Sequence, residues 1–390
     1  MKKLLIVNNN MKVGGVQKSL SNLLWSLDPA KYEVTLLLFA KDGAYLDDLP
    51  DHVCVKEVQG PFRYLGKSQG EHKHNRKDML IRGFLAALSR LCGRRVAVGW
   101  MLWFQPRLKG HYDCAVSFLH NGRREAFYGG VQDYVLRCVD ADRKVAFLHG
   151  DYGSCGANHP ANNRMMARFD AVAACSDGCH QAFLKALPHL GERCLTVRNC
   201  HRYDEIVELA LENPPAYAAG AVHAVLVARL THEKGVERAI TAVAHTVHSG
   251  VSVHLHIVGD GPLLGDLQQQ VVQEGLTDVV HFHGEQANPY PYIQQADLLL
   301  VSSYHEAAPM VIDEARCLGV PVLSTKTISA KEMVTEAQAG WVCDNSQEAL
   351  NEALCRVARD REALTAVREH LMQNRATNES ALEQFDKFII

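Results

Sequence analysis

The chain has 390 residues, with 41 Lys and Arg against 44 Asp and Glu and a formal net charge of −3. That length accommodates two domains with separate cores, and the near-neutral balance gives no case for nucleic-acid binding through bulk charge. The 12 cysteines include no CxxC pair, so a tetrahedral zinc site is not expected and reduced thiols in a cytosol are.

The start, MKKLLIVNNN, has only four apolar residues after its basic ones. This is too short for a signal-peptide core and predicts a first strand, 4–7. No run of about 18 apolar residues follows, so no membrane-spanning helix is expected. Next, MKVGGVQKSL offers Gly14 and Gly15, where a backbone can approach a ligand closely before a helix begins. That helix places Val16, Leu20, Leu23, Leu24 and Leu27 on one face. Further strands are predicted at 33–39, 53–58, 113–118, 144–148, 170–175 and 194–198.

Between Arg63 and Lys109 the pattern breaks, with eleven Lys or Arg against two acids. Leu80, Ile81, Phe84, Leu85, Leu88 and Leu91 recur there at helical spacing. Lys73, Arg76, Lys77, Arg82, Arg90, Arg94 and Arg95 supply charge. Such a segment suits either an anionic membrane surface or a solvated helix with an ordinary core face. Asp140 and Asp142 form a D-x-D match of the kind that holds a divalent metal in some sugar transferases. They precede a strand rather than follow one, and read as a solvated turn. FLHGDY puts His149 just past a strand end, where it can hydrogen-bond a sugar or a leaving group; a lone histidine there is more often structural.

The stretch ENPPAYAAGA, 212–221, reads as a joint between domains. Strands resume at 224–228, 253–258, 279–283, 297–301, 320–324 and 340–343. Strand–helix alternation implies parallel sheets covered on both faces, and two such series imply two doubly wound α/β domains. Three loops of the second series lie at strand C-terminal ends, where open sheets of this kind bind ligands. In AVLVARLTHEKG, Arg229 ends a strand, and Lys234 and Gly235 begin the next helix. Cations at a helix start oppose its dipole unless they splay into water or an anion binds between them. In HIVGDGPLLGDL, Gly259 and Gly261 make a turn before Pro262; the third glycine of the dinucleotide fingerprint is missing. In EAAPMVIDE, Glu306 lies in the loop, Pro309 can open a helix, and Glu314 sits more than one turn inside it. A helix start faced by a loop carboxylate forms a polar pocket. Its free N–H groups favour an anion, and the carboxylates accept hydrogen bonds from hydroxyls. A diphosphate attached to two sugars offers both. Each loop alone is more ordinarily a strand–helix turn; three in order at one sheet edge favour an anion site. The last segment puts Leu382, Phe385, Phe388 and Ile389 on one helical face, and either domain could receive it.

The ordered set GGVQKSL, ARLTHEKG, VGDGPLLGDL, VHFHGE, NPYPYIQQADLLLVSS and HEAAPMVIDEARCLGVPVLST resembles glycosyltransferase family 4. The likeness is dense over 222–345 and thinner before it. The NPYPY variant is similar to enzymes that build bacterial capsules, exopolysaccharides and lipopolysaccharides. The resemblance implies the GT-B fold, two Rossmann-like domains with a cleft between them, and sugar transfer with retention of configuration. By position it implies that Arg229 and Lys234 neutralise the donor diphosphate, Glu314 binds the ribose hydroxyls, and Glu306 lies beside the transferred sugar. Gly15 matches a glycine that meets the phosphates when the cleft closes, His149 a histidine near the transferred sugar, and Gln286 lies near the base. The implied catalytic set is Glu306, His149, Arg229 and Lys234. The implied donor set is Gly14, Gly15, Arg229, Lys234, Gly259, Gly261, Gln286, Glu306, Ala307, Ala308, Pro309, Met310 and Glu314. One departure is EAAP where the family reads EGFG or EGFP, which puts the bulkier Ala307 where backbone amides approach the donor.

Three segments are expected: an acceptor-binding domain over 1–211, a nucleotide-sugar-binding domain over 222–375, and a terminal helix over 376–390. The expected activity is metal-independent, retaining transfer of a hexose from a nucleotide sugar, UDP-linked, to a growing bacterial glycan or lipid-linked acceptor. No cofactor is expected, the nucleotide sugar being substrate. The expected location is cytoplasmic, with peripheral contact at the inner face of an anionic membrane. The rivals are a UDP-sugar epimerase on the same fold and a non-catalytic sugar-nucleotide or glycan-binding subunit. The ARLTHEKG cations and the paired glutamates argue against the first, and only the EAAP loop supports the second.

Overall fold

The structure, a computed structural model, describes residues 1–67 and 75–389; Lys73 of the basic stretch lies outside them. The chain forms two compact units, one of Met1–His201 with the segment from Asn378 onward, the other of Arg202–Thr377. The first holds seven strands: β1 (Lys2–Asn8), β2 (Tyr32–Leu38), β3 (Cys54–Glu57), β4 (His111–Ser117), β5 (Asp140–Leu148), β6 (Ala171–Ala174) and β7 (Cys194–Thr196). All pair in parallel, in the order β3-β2-β1-β4-β5-β6-β7. The second holds β8 (Val222–Val227), β9 (Val253–Val258), β10 (Val280–Phe282), β11 (Leu298–Val301), β12 (Val322–Thr325) and β13 (Gly340–Cys343). These too are parallel, in the order β10-β9-β8-β11-β12-β13. Unbroken apolar runs suit such strands because helices cover both faces; Leu4 to Val7 and Leu298 to Leu300 are almost wholly buried. In each sheet the strand order reverses once, between β1 and β4 and between β8 and β11. In open sheets of this kind ligands bind beyond the strand ends at such a reversal.

The division falls at His201, before the expected joint, and for a packing reason. The helix Tyr203–Leu209 buries Ile206 in the core of the second unit. The expected joint at 212–221 also belongs to that unit: Tyr217 stacks on His223 and His256, with ring centroids 4.8 and 3.9 Å apart. The terminal helix Glu379–Ile389 docks on the first unit. Phe388 meets Phe147 edge-on at 5.2 Å, and the Tyr32 hydroxyl donates to Asp386 at 2.7 Å.

Three helices bear on the first unit's expected sites: α1 (Gly15–Ser26), α2 (Arg76–Cys92) and α3 (Arg94–Phe104). Asn75 caps α2 by accepting from the Lys77 and Asp78 amides. The apolar set of α2 is not one core face. Leu85 is buried, whereas Leu80, Ile81, Phe84 and Leu91 are exposed. Arg94 is no surface charge either, being buried against Asp133 at 2.8 Å. Asp140 and Asp142 open β5 rather than forming a turn, because β4 pairs with β5 from His111 and Asp140 onward. Their exposed carboxylates flank the His111 ring, each 3.2 Å from one of its nitrogens, and hold its pKa above the usual range.

Candidate functional site

At the second unit's switch point the β8 and β11 loops are bonded to each other. The β8 loop makes one tight turn, His232–Lys234, and then Gly235 at φ 59°. A side chain at Gly235 would collide with the Ser302 carbonyl at the end of β11, so only glycine lets the two loops touch. The Tyr304 amide donates to the Glu233 carbonyl at 2.9 Å, and the Ser302 hydroxyl to the Lys234 carbonyl at 3.1 Å. Beneath them the buried Arg238 donates to Asn345 at 2.7 Å and lies 4.5 Å over the Tyr304 ring. This framework delivers Lys234 Nζ to Glu306 Oε1 at 2.7 Å, where the Ser303 hydroxyl also donates at 2.7 Å. The side chains remain 27% and 12% exposed, so the pair is sheltered but reachable.

The placement of Lys234 corrects the expectation that it begins a helix. The helix starts at Val236, after Gly235, and Lys234 is neutralised by Glu306 rather than opposing a dipole. Arg229 is in the same loop, exposed, with no side-chain partner among the described residues. Glu314 lies one turn inside the helix Met310–Cys317 and is 3% exposed. Pro309 is the cap residue before that helix, not its first residue. Neither Ala307 nor Ala308 has a positive φ, so the loop does not need the family's glycine for its backbone. Gln286, beyond β10, donates to the His283 carbonyl at 2.6 Å.

Gly259 and Gly261 let the loop after β9 pack closely on the loop after β8. A side chain at either would strike the β8 loop, at the Ala228 and Leu230 carbonyls respectively, and Gly259 has φ 142°. Gly259→Ala is therefore expected to cost roughly 2 kcal/mol or more, because clash and backbone strain add. Thermal unfolding checks this: an unchanged midpoint would mean that the loops separate freely.

A histidine ladder, unrecognised in the sequence, runs across one face of β8, β9 and β10 and ends just past β10. His223 Nε2 lies 2.7 Å from the Ala218 carbonyl, so it donates there and Nδ1 must accept. His256 Nε2 then donates to His223 Nδ1 at 3.0 Å, and His283 Nε2 to His256 Nδ1 at 3.1 Å. His254 and His281 pair beside them at 3.1 Å. Burial, with the neighbouring rings, pushes His256 down to about 3 and lowers His254, His281 and His283. The signal was the alternation in VHLHIV and VHFHGE, which puts histidines on one face of adjacent strands.

In the first unit Gly14 caps α1 without a side-chain bond, and Gly15 has open space around it. His149 follows β5, stacked on Phe147 at 5.5 Å and tilted against Phe118 at 4.6 Å. Burial and the neighbouring His120 lower its pKa to about 3, and burial lowers His120 to about 4. His149 bonds the Phe118 carbonyl, while its Nε2 is buried with no partner among the described residues. The ring is therefore neutral, and Nε2 is an acceptor for a donating hydroxyl rather than a cation for a phosphate. Among the described residues no group of three or more His, Cys, Asp or Glu is arranged to hold a metal.

The sequence model of the glycosyl transferases group 1 family matches residues 219–374. A putative colanic acid biosynthesis glycosyltransferase, WcaL of Salmonella typhimurium, is 31% identical over 153 residues, which are 37% of this chain and 38% of that protein. The Vi polysaccharide biosynthesis protein VipC/TviE of Salmonella typhi is 29% identical over 140 residues, 34% of this chain and 24% of that protein. The matched part thus spans well under half the length of these relatives. Among solved structures, that of Anabaena HepE in complex with UDP is 18% identical, covers 99% of both chains and superposes with a TM-score of 0.67. The chain shares the GT-B fold of such neighbours.

Proposed function

Because residues 219–374 belong to the glycosyl transferases group 1 family, we propose that this chain transfers a hexose from a UDP-sugar, with retention, to a bacterial surface glycan or its lipid-linked precursor. The observation that carries the reading is the Lys234–Glu306 pair at the β8–β11 switch point, with Arg229 in the same loop. Transfer breaks the bond between the anomeric carbon and the β-phosphate oxygen and forms one to an acceptor hydroxyl oxygen. The hydroxyl proton passes to the departing phosphate, which leaves with negative charge. Lys234 and Arg229 offset that charge. Glu306 orients the lysine and lies beside the sugar, and Glu314 accepts from the ribose. His149 Nε2 suits a hydroxyl donor on the acceptor or sugar. The UDP complexes of HepE and the pathway names of the relatives support this class of donor and acceptor. The proposed location is the cytoplasm, at the inner face of the membrane, where lipid-linked glycan precursors are met.

Incubation with UDP-sugars tests the reading. A transferase releases UDP slowly without acceptor, an epimerase returns the epimer, and a binding subunit does neither. If Lys234 and Arg229 offset the phosphate charge as proposed, no metal is needed for it, and activity is expected to survive excess EDTA. Loss on chelation with rescue by Mg²⁺ would refute this and bring Asp140 and Asp142 back into consideration.

A further inference from the structure

Helices α2 and α3 pack together and carry two apolar stripes that nothing in their own unit covers. On α2, Leu80, Phe84 and Leu91 are 70%, 58% and 85% exposed; on α3, Trp100, Trp103 and Phe104 are 46%, 87% and 59% exposed. Phe84 and Trp100 meet edge-on at 6.4 Å, and Trp100 meets Phe104 at 5.1 Å, so the stripes join into one surface. Contiguous apolar surface of this kind marks an interaction site.

We infer that this two-helix face is a bilayer-docking surface, with Trp100, Trp103 and Phe104 seated at the boundary between headgroups and acyl chains. The charges around it select the occupant. Arg76, Lys77, Arg90 and Arg95 are exposed on the two helices. The lone acid of α2 and α3, Asp78, is held by Arg63 at 2.8 Å. An apolar stripe rich in Trp, Phe and Leu, flanked by cations, is the pattern of a helix lying in an anionic interface. A second copy meeting this face through a self-complementary contact would bring two sets of the same cations into one interface, with a single acid on each side to offset them. No described helix is long and apolar enough to cross a membrane, so docking is from one side. The buried Arg94 takes no part, which shifts the electrostatic contribution to Arg90 and Arg95. The inference rests on the proposed lipid-linked acceptor for its purpose, but not for its measurement.

The full chain is sedimented with vesicles of phosphatidylcholine alone or mixed equally with phosphatidylglycerol. Binding is expected to favour the mixed vesicles and to fall as salt rises. Trp100→Ser with Trp103→Ser should weaken it about ten-fold or more, because both side chains project from the surface and leave the core intact. Arg90→Glu with Arg95→Glu should remove most of the preference for phosphatidylglycerol. Brominated acyl chains should quench tryptophan emission, and Trp103→Phe should reduce that quenching. UDP affinity, measured in parallel, should be unchanged in all variants, so a failure of docking and a failure of the transferase reading are separable. Indifference to both vesicle types at low salt would overturn the inference. So would a concentration-dependent dimer abolished by Trp103→Ser, since the face would then belong to a second copy.

Discussion

Lys234→Ala is expected to weaken UDP binding by about ten-fold or more, while Glu306→Gln leaves it unchanged or tightens it and still lowers turnover by roughly a hundred-fold. The opposite directions follow from the 2.7 Å bond between the two side chains. A charge-assisted bond in a sheltered site contributes roughly 1.5–3 kcal/mol, so losing the lysine removes at least a tenfold in affinity. Glu306, however, already pairs with the ammonium group. A phosphate must share or displace it, and replacing the carboxylate by an amide removes that competition and a negative charge facing the diphosphate. Turnover falls because the carboxylate proposed to lie beside the transferred sugar is no longer charged. Titration calorimetry with UDP, beside single-turnover transfer, reads both effects. Unchanged UDP affinity in both Lys234→Ala and Arg229→Ala would show that the diphosphate binds elsewhere. Thermal melting controls for the Glu306 carboxylate stranded by Lys234→Ala, whose Ser303 bond should keep the loop folded.

The strands were legible because a buried parallel strand is an unbroken apolar run, and a run such as DLLLV needs no tertiary information to be recognised. The loops at the sheet edge were legible for a related reason, since glycines, cations and acids interrupt those runs at fixed places. What local pattern could not give was partnership. Lys234 and Glu306 are far apart in sequence and meet only because β8 and β11 are neighbours. Arg94 and Arg95 look alike in a basic run, yet one faces Asp133 and the other water. The apolar residues of α2 left a core face and a membrane-lying face equally open, because helical spacing does not say how many faces are covered. Likewise the prolines at 212–221 marked a break in secondary structure, whereas the boundary between the units depends on where Ile206 finds a core.

The histidine ladder makes acid destabilisation of the second unit the other large expected effect. In an unfolded chain a histidine titrates near 6.5, whereas His256 in the fold is held down to about 3. Between those values the unfolded state binds a proton that the native state does not, so stability rises with pH. Its full contribution is therefore present above about pH 6.5 and is lost progressively as pH falls toward about 3. For His256 alone, moving from pH 8 to pH 5 should cost about 2 kcal/mol. His254, His281 and His283 shift the same way and steepen the loss. The structural cause is the direction of the hydrogen bonds. With His223 Nε2 donating to Ala218, each ring down the line offers a lone pair to the next donor, and a proton added at His256 Nδ1 would face the N–H of His283. His149 and His120 impose a similar dependence on the first unit. The second must therefore be read separately, with Trp341 on β13 as the reporter after Trp25, Trp100 and Trp103 are replaced by Phe. Urea unfolding of that chain from pH 8 to pH 5 should show the loss. His256→Gln, which keeps a donor and an acceptor but cannot titrate, should be less stable at pH 8 and lose less on acidification. A parallel pH slope in the two proteins would show that the ladder titrates as ordinary surface histidines and that its rings do not hold one another neutral.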